Sequence, residues 1–215
     1  ALEILQSKIE TGKKIRIVGD YDIDGICSTY LLSQALRRVG ANVDYEIPDR
    51  VKDGYGINES IIRAAAADGI YTILTCDNGI AAIDQANLAC DLGMTMVVTD
   101  HHEIRQDEAG KDLLPRAAAV VNPKRRESPY PFPEICGGMV AYKVVQALYR
   151  IFGVPKAEWL DLMEFAALAT VGDVMKLQDE NRIVVKEGLK RMGRTGNIGL
   201  RKLMEKNNLD RDRLT

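Results

Sequence analysis

The stretch G19-DYDIDGICSTYL-L32 decides how this chain is read. It continues an apolar run, Ile15-Arg16-Ile17-Val18, with Asp20, Asp22 and Asp24 at alternate positions and Gly25 directly after them. From Ile26 the apolar spacing of Ile26, Tyr30, Leu31 and Leu32 predicts a helix. Three carboxylates therefore stand at a strand-to-helix junction. In an extended chain, alternate residues turn to one side, and like charges held that close repel one another and resist ionisation. A divalent cation relieves the repulsion, because hard cations take oxygen ligands. The stretch reads equally as a polar loop with an aspartate cap. An EF-hand loop is excluded, since it needs a glutamate at its twelfth position, where Leu31 or Ser33 stands.

Outward from this junction, strands and helices alternate. Residues 2–11 predict a helix, 15–19 a strand, and a helix then runs to about Val39. Asn42–Ile47, Tyr71–Cys76, Met94–Thr99 and Ala117–Val121 predict four more strands. Helices are expected from Asn58 to Gly69, from Ala81 to Leu92, from Gly137 to Phe152, and as one long apolar helix from Glu158 to Thr170. Beyond Glu180 the chain is helical and more polar, ending in a helix over 199–208. The fold class is α/β: a five-stranded, mostly parallel sheet flanked by helices and followed by a helical C-terminal segment. Right-handed crossovers bring every strand's C-terminal end to one edge, where such sheets bind ligands. The residues at those ends are Asp20, Asp22 and Asp24, then Asp77, then Asp100, His101 and His102.

Composition bounds the chemistry. At 215 residues with 46% hydrophobic residues, the chain is long enough for a substantial core, and no apolar run approaches the roughly 20 residues of a membrane span. Four scattered cysteines (Cys27, Cys76, Cys90, Cys136) fit reduced thiols in a cytoplasm better than disulfides or a zinc knuckle. The net charge of −2 gives no general nucleic-acid signature, but bound cations would offset an acidic centre. The chain starts at Ala1 without a secretory leader, as a piece trimmed from a longer protein would.

The only two histidines are adjacent and follow an aspartate at a strand end. His101 is assigned as a metal ligand and His102 as a phosphate contact or proton donor. Asp100 is the partner that fixes an imidazole, or else a simple turn residue. Mixed carboxylate and imidazole ligands suit Mn²⁺ or Mg²⁺ better than Zn²⁺. Two such ions form the common clamp for phosphoester hydrolysis and activate water for attack on phosphorus. Asp77 is the expected bridge between them, because its strand should lie between the other contributors. The backbone around Asn78-Gly79 and the helix start near Ser28 are candidate anion sites for substrate. Arg50, Lys52, Lys124, Arg125 and Arg126 are candidate basic residues near the edge, each also readable as a solvated surface charge.

Four motifs in order, Gly19-Asp20-Tyr21-Asp22-Ile23-Asp24-Gly25, Asp77-Asn78-Gly79, Asp100-His101-His102 and Gly172-Asp173, resemble those of the DHH phosphoesterases. IPDRVKDGYGI, VVNPKR, SPYPFPEICGG and ENRIVVKEGLKR add a closer resemblance to the RecJ-type single-strand-specific exonucleases, from about residue 13 to 205. The resemblance implies a Mn²⁺-dependent 5′→3′ exonuclease acting on the 5′ end of single-stranded DNA and releasing 5′-mononucleotides. It implies one or two ions held by Asp22, Asp24, Asp77, His101 and Asp173, with Asp20 as a further ligand in the RecJ-type pattern. Asp173 enters only through the resemblance; by itself it reads as a cap. His102, Asp77 and Asp100 are then the expected catalytic group. Many DHH enzymes carry a histidine where Val18 stands here, and valine cannot ligate.

The expected division is a DHH catalytic domain over 1–178 and a helical connector over 179–215 toward a DHHA1 domain, with single-strand-binding protein and a helicase as partners of the longer protein. The alternatives are a DHH enzyme for short oligonucleotides or cyclic dinucleotides, a small-molecule phosphatase, and a degenerate scaffold without metal. A scaffold should have lost its ligands, and the histidine missing at Val18 weighs against the phosphatase.

Overall fold

In the computed structural model, which describes residues 1–211 and 214, a parallel five-stranded sheet has the order β2-β1-β3-β4-β5. The strands are β1 (Ile15–Val18), β2 (Val43–Glu46), β3 (Thr72–Cys76), β4 (Thr95–Thr99) and β5 (Ala119–Val121). β1 and β3 are buried along their whole length, as expected of central parallel strands rich in β-branched residues, with Arg16 the one charged residue among them. From β1 the chain steps outward to β2. It then crosses back to β3 and continues to β4 and β5 on the other side. The order reverses between β1 and β3, which makes their C-terminal ends the crevice of the sheet.

Nine helices lie among the described residues: α1 (Leu2–Glu10), α2 (Ile23–Arg38), α3 (Glu59–Ala67), α4 (Ile83–Asp91), α5 (Gly137–Ile151), α6 (Lys156–Asp161), α7 (Met163–Gly172), α8 (Asp179–Gly193) and α9 (Ile198–Lys206). One face of the sheet (Ile15, Ile17, Leu74, Cys76, Val97) packs under α2, α5 and α7. The other face (Val18, Ile73, Met96, Val98) packs under α3 and α4. Val18 is thus a core residue, in keeping with its inability to ligate. No described helix is long and apolar enough to cross a membrane.

Two helix expectations need correcting. α2 begins at Ile23 rather than Ile26, because the Asp22 side chain accepts the amide of Gly25 at 2.9 Å and caps it. The expected helix from Glu158 to Thr170 is two helices. The amide of Phe165 reaches Leu162 O at 3.2 Å, a tight i→i+3 bond that breaks the run at a place where apolar continuity gives no warning.

Candidate metal centre

The three aspartates after β1 leave it in three different ways. Asp20 is fully buried; its Oδ1 accepts the amide of Gly56 at 3.2 Å, and its Oδ2 has no partner. Asp22 is the cap of α2. Asp24 lies in the first turn of α2, and the amides of Gly137 and Gly138 grip its carboxylate at 2.7 and 2.6 Å. The expectation that alternation turns all three to one side is therefore corrected. The chain becomes helical at Ile23, and Asp24 reaches the crevice by helix geometry. The aspartate-cap reading is realised at Asp22, while Asp24 carries its carboxylate to within 3.5 Å of His101.

Asp77 follows β3 in the left-handed region at φ 60°, and its amide donates to Thr99 O at 3.1 Å. A Cβ at Gly137 would lie 2.5 Å from Asp77 Oδ1, so the start of α5 approaches this carboxylate as only glycine allows. After β4, Asp100 accepts from the amides of Ile80 (2.9 Å), His101 (2.7 Å) and His102 (3.2 Å), and from His102 Nδ1 (2.7 Å). Asp100 thus fixes the imidazole of His102. Burial works against its charge, but the His102 hydrogen bond and the backbone amides outweigh it and hold its pKa below the usual range. Asp173 comes from the far end of the chain as the C-cap of α7.

These arms meet at His101. Its Nε2 lies 3.2 Å from Asp77 Oδ1, 3.5 Å from Asp24 Oδ2 and 3.8 Å from Asp173 Oδ2. Two ligand groups share it: Asp77, His101 and His102 in one, Asp24, His101 and Asp173 in the other. β3 does lie between β1 and β4, as the bridging expectation for Asp77 requires. Burial, then the charges of Asp24 and Asp22, push Asp77 far above the carboxylate range and Asp173 up to about 6. Burial lowers the pKa of His101, which keeps its imidazole neutral and able to ligate. The Asp100 hydrogen bond raises that of His102.

A divalent ion fits this donor set. Asp77 Oδ1, Asp20 Oδ2 and His101 Nδ1 are buried without a hydrogen-bond partner. Among the described residues no lysine or arginine makes an ion pair with Asp20, Asp22, Asp24, Asp77 or Asp173. Crowded carboxylates beside a neutral imidazole are an oxygen-rich mixed set of the kind Mn²⁺ and Mg²⁺ accept.

Other sequence expectations land elsewhere. Ser28 sits in the second turn of α2 with no exposed surface, so it is no anion site; the helix starts too early for that role. Asn78 is buried and braces the crevice, donating to Val18 O at 3.0 Å and Cys76 O at 2.9 Å and accepting from Ile57 N at 3.1 Å. Gly79 turns at φ 108°, and a Cβ there would meet Thr75 Oγ1 at 2.6 Å. Arg125 and Arg126 spend hydrogen bonds on Val120 O and Gly110 O. Arg50 lies over the ring of Tyr21 at 5.3 Å; Lys124 pairs with Glu103 at 2.8 Å but stays near the edge, where its charge acts on Asp173 and His101. The sequence reading missed the Gly137-Gly138 clamp and Tyr55, whose hydroxyl donates to Asp77 O at 2.9 Å and lies 3.2 Å from His102 Nε2. A Gly-Gly pair opening a helix was the one local signal for the clamp.

Comparison with known proteins agrees with this geometry. The family model described as "DHH family, N-terminal domain" matches residues 14–172. The chain is 40% identical over 205 residues to the single-stranded-DNA-specific exonuclease RecJ of Bacillus subtilis, covering 95% of this chain and 25% of that protein. It is 37% identical over 229 residues to the Escherichia coli protein of the same name, covering 100% of this chain and 38% of that one. The chain therefore spans well under half the length of these relatives. A crystal structure of exonuclease RecJ bound to manganese superposes with a TM-score of 0.83 at 32% identity, over 95% of this chain and 50% of that one.

Proposed function

The chain belongs to the DHH family, and we propose that its centre hydrolyses phosphodiester bonds of single-stranded DNA from the 5′ end, releasing 5′-mononucleotides. The observation that carries this reading is the convergence on His101 Nε2 of Asp77, Asp24 and Asp173, at 3.2 to 3.8 Å, with no lysine or arginine ion-paired to them among the described residues. The RecJ relatives named above support the substrate, and the manganese-bound structure supports the metal. Mn²⁺ is the proposed ion, Mg²⁺ the alternative, with one or two bound. Asp22, Asp24, Asp77, His101 and Asp173 would hold them, and Asp20 would support the centre from beneath. A bound divalent ion supplies a Lewis acid for the phosphate and lowers the pKa of water to near neutrality.

The chain's own residues do the rest. Asp100 holds His102 by Nδ1, so Nε2 is presented to the crevice as a proton donor or phosphate contact. The raised pKa of His102 keeps that donor charged closer to neutral pH. The Tyr55 hydroxyl flanks this ring, 3.3 Å from Nδ1 and 3.2 Å from Nε2. The buried helix start at Gly137-Gly138 orients Asp24.

We carry forward a catalytic unit over 1–178 and a helical connector over 179–215, of which residues 212, 213 and 215 lie outside the described residues. The connector is seated firmly: α8 buries Val184, Val185 and Met192, and a Cβ at Gly188 would lie 2.3 Å from Ala167 Cβ. In the longer protein it would lead to a DHHA1 domain, with single-strand-binding protein and a helicase as partners in a cytoplasmic repair process.

The test is Mn²⁺-dependent product release from a 5′-labelled single strand, beside its duplex and a cyclic dinucleotide. Asp77→Asn serves as the blank, since asparagine tolerates left-handed backbone. Mononucleotides from the single strand alone, absent with the variant, support the reading. Turnover of the dinucleotide with an intact strand would move the chain to the small-substrate branch of the family.

A further inference from the structure

Val174 follows Asp173 directly and sits at φ 55°. Left-handed backbone crowds Cβ, most severely in β-branched residues, and the position just past a helix that takes this conformation is ordinarily glycine. The backbone closes α7 in that way: Met175 N reaches Thr170 O, and Val174 N reaches Val171 O, both at 3.1 Å. Elsewhere the described residues in this region are nine glycines and Asp77, Asp179 and Asn208, the polar types that tolerate it best. Val174 is the β-branched exception, and packing does not offset its strain, because the residue is 87% exposed. Nothing among the described residues packs on it to account for a valine here.

Its place does. Asp173 Oδ2 is 3.8 Å from His101 Nε2, and Val174 is the next residue of the chain, its Cα about 3.8 Å from that of Asp173. Val171 and Leu177 on the same segment are half-exposed. Ile23 packs against the end of α7, where a Cβ at Gly172 would meet its Cγ2 at 2.2 Å. An apolar rim therefore borders an acidic, cation-demanding centre. When such a centre takes a nucleotide's phosphodiester, the uncharged part of the same nucleotide must lie alongside.

We propose that Val174 is a positioning residue for substrate, its side chain packing against the nucleobase of the nucleotide being released. This rests on the phosphodiesterase reading above. A glycine would serve the backbone better, so the valine is explained by what it touches when substrate is bound.

The experiment uses the full chain with Mn²⁺ and two single strands, one ordinary and one abasic at the 5′-terminal nucleotide. Binding is followed by fluorescence anisotropy alongside cleavage, and Tm is measured without metal. Val174→Gly should keep or raise Tm. It should raise KM on the ordinary strand about tenfold with a smaller change in kcat, and leave the abasic strand unaffected. Val174→Ile should retain the parent KM. An unchanged KM for Val174→Gly on the ordinary strand, or an equal rise on both strands, overturns the inference while the parent's activity stands. A parent that neither binds nor cuts either strand overturns the phosphodiesterase reading, and this inference with it.

Discussion

The sheet carries an acidic cluster at each end, and the two are built in opposite ways. At the N-terminal end, Asp44 on β2 lies in register with Arg16 on β1. Arg16 grips it with two hydrogen bonds, at 3.0 and 2.8 Å, and Lys14 adds an ion pair at 2.8 Å. Arg16 also reaches Asp68 at 3.0 Å. At the C-terminal end, Asp24, Asp77 and Asp173 face one another around one neutral imidazole. The same residue type therefore responds in opposite directions. Burial raises the pKa of Asp44, but Arg16 and Lys14 outweigh it and bring the net shift below the ordinary value. Asp77 and Asp173 are pushed above it by burial and by each other's neighbours. One cluster is complete within the chain and serves the fold. The other has no lysine or arginine ion pair among the described residues and is a set of groups that could hold a cation.

The sharpest way to break the contrast is Asp77→Asn. Activity with Mn²⁺ should fall by about 10³-fold, while the metal-free Tm rises by about 2–4 °C per kcal/mol of relieved charge burial. A variant that loses Tm instead would mean that Asp77 is paired in the metal-free protein. Next in size is Gly137→Ala. Its new Cβ would press on Asp77 Oδ1, so calorimetric titration should show Mn²⁺ affinity down about 10–100-fold; unchanged affinity would show that α5 can withdraw without cost. Third, Mn²⁺ at about 100 times its Kd should stabilise the parent by about 2.7 kcal/mol, and Asp77→Asn should lose most of that gain. The smallest effect belongs to the other cluster. Asp44→Asn should cost about 1 kcal/mol by weakening its hold on the buried Arg16 and the partly exposed Lys14, with no change in Mn²⁺ affinity.

The Asp44 arm also fixes a sign with pH. Its folded pKa is lowered, so its stabilisation is present above the unfolded value near 4 and lost as pH falls through the folded value. As pH falls below about 4, the parent's Tm should therefore fall more steeply than that of Asp44→Asn. Parallel melting curves would remove Asp44 from the account.

What the sequence made legible was whatever is local. Asp77 and the His101-His102 pair announce themselves because they end β-branched runs, and parallel topology brings strand ends together. Asp22 and Asp24 were visible too, but their geometry was misjudged, since a cap and an extended ligand look alike until the helix start is fixed. Asp173 was found only through family resemblance, because a C-cap becomes a site residue by packing of α7 against α2. The glycine clamp and Tyr55 depend on contacts between distant segments, and no periodicity records those.

The clamp has a consequence for how the protein is made. Gly137 and Gly138 meet Asp24 across 113 and 114 residues of chain, and Asp173 arrives later still. A chain emerging from the ribosome can fold β1, α2 and β3 long before these partners exist. Asp77 and His101 can meet once β3 and β4 pair, but Asp24 has no glycine clamp until α5 docks, and Asp173 joins only with α7. The full carboxylate set is therefore assembled only after α5 and α7 have been made, by contacts that no shorter stretch of this sequence contains.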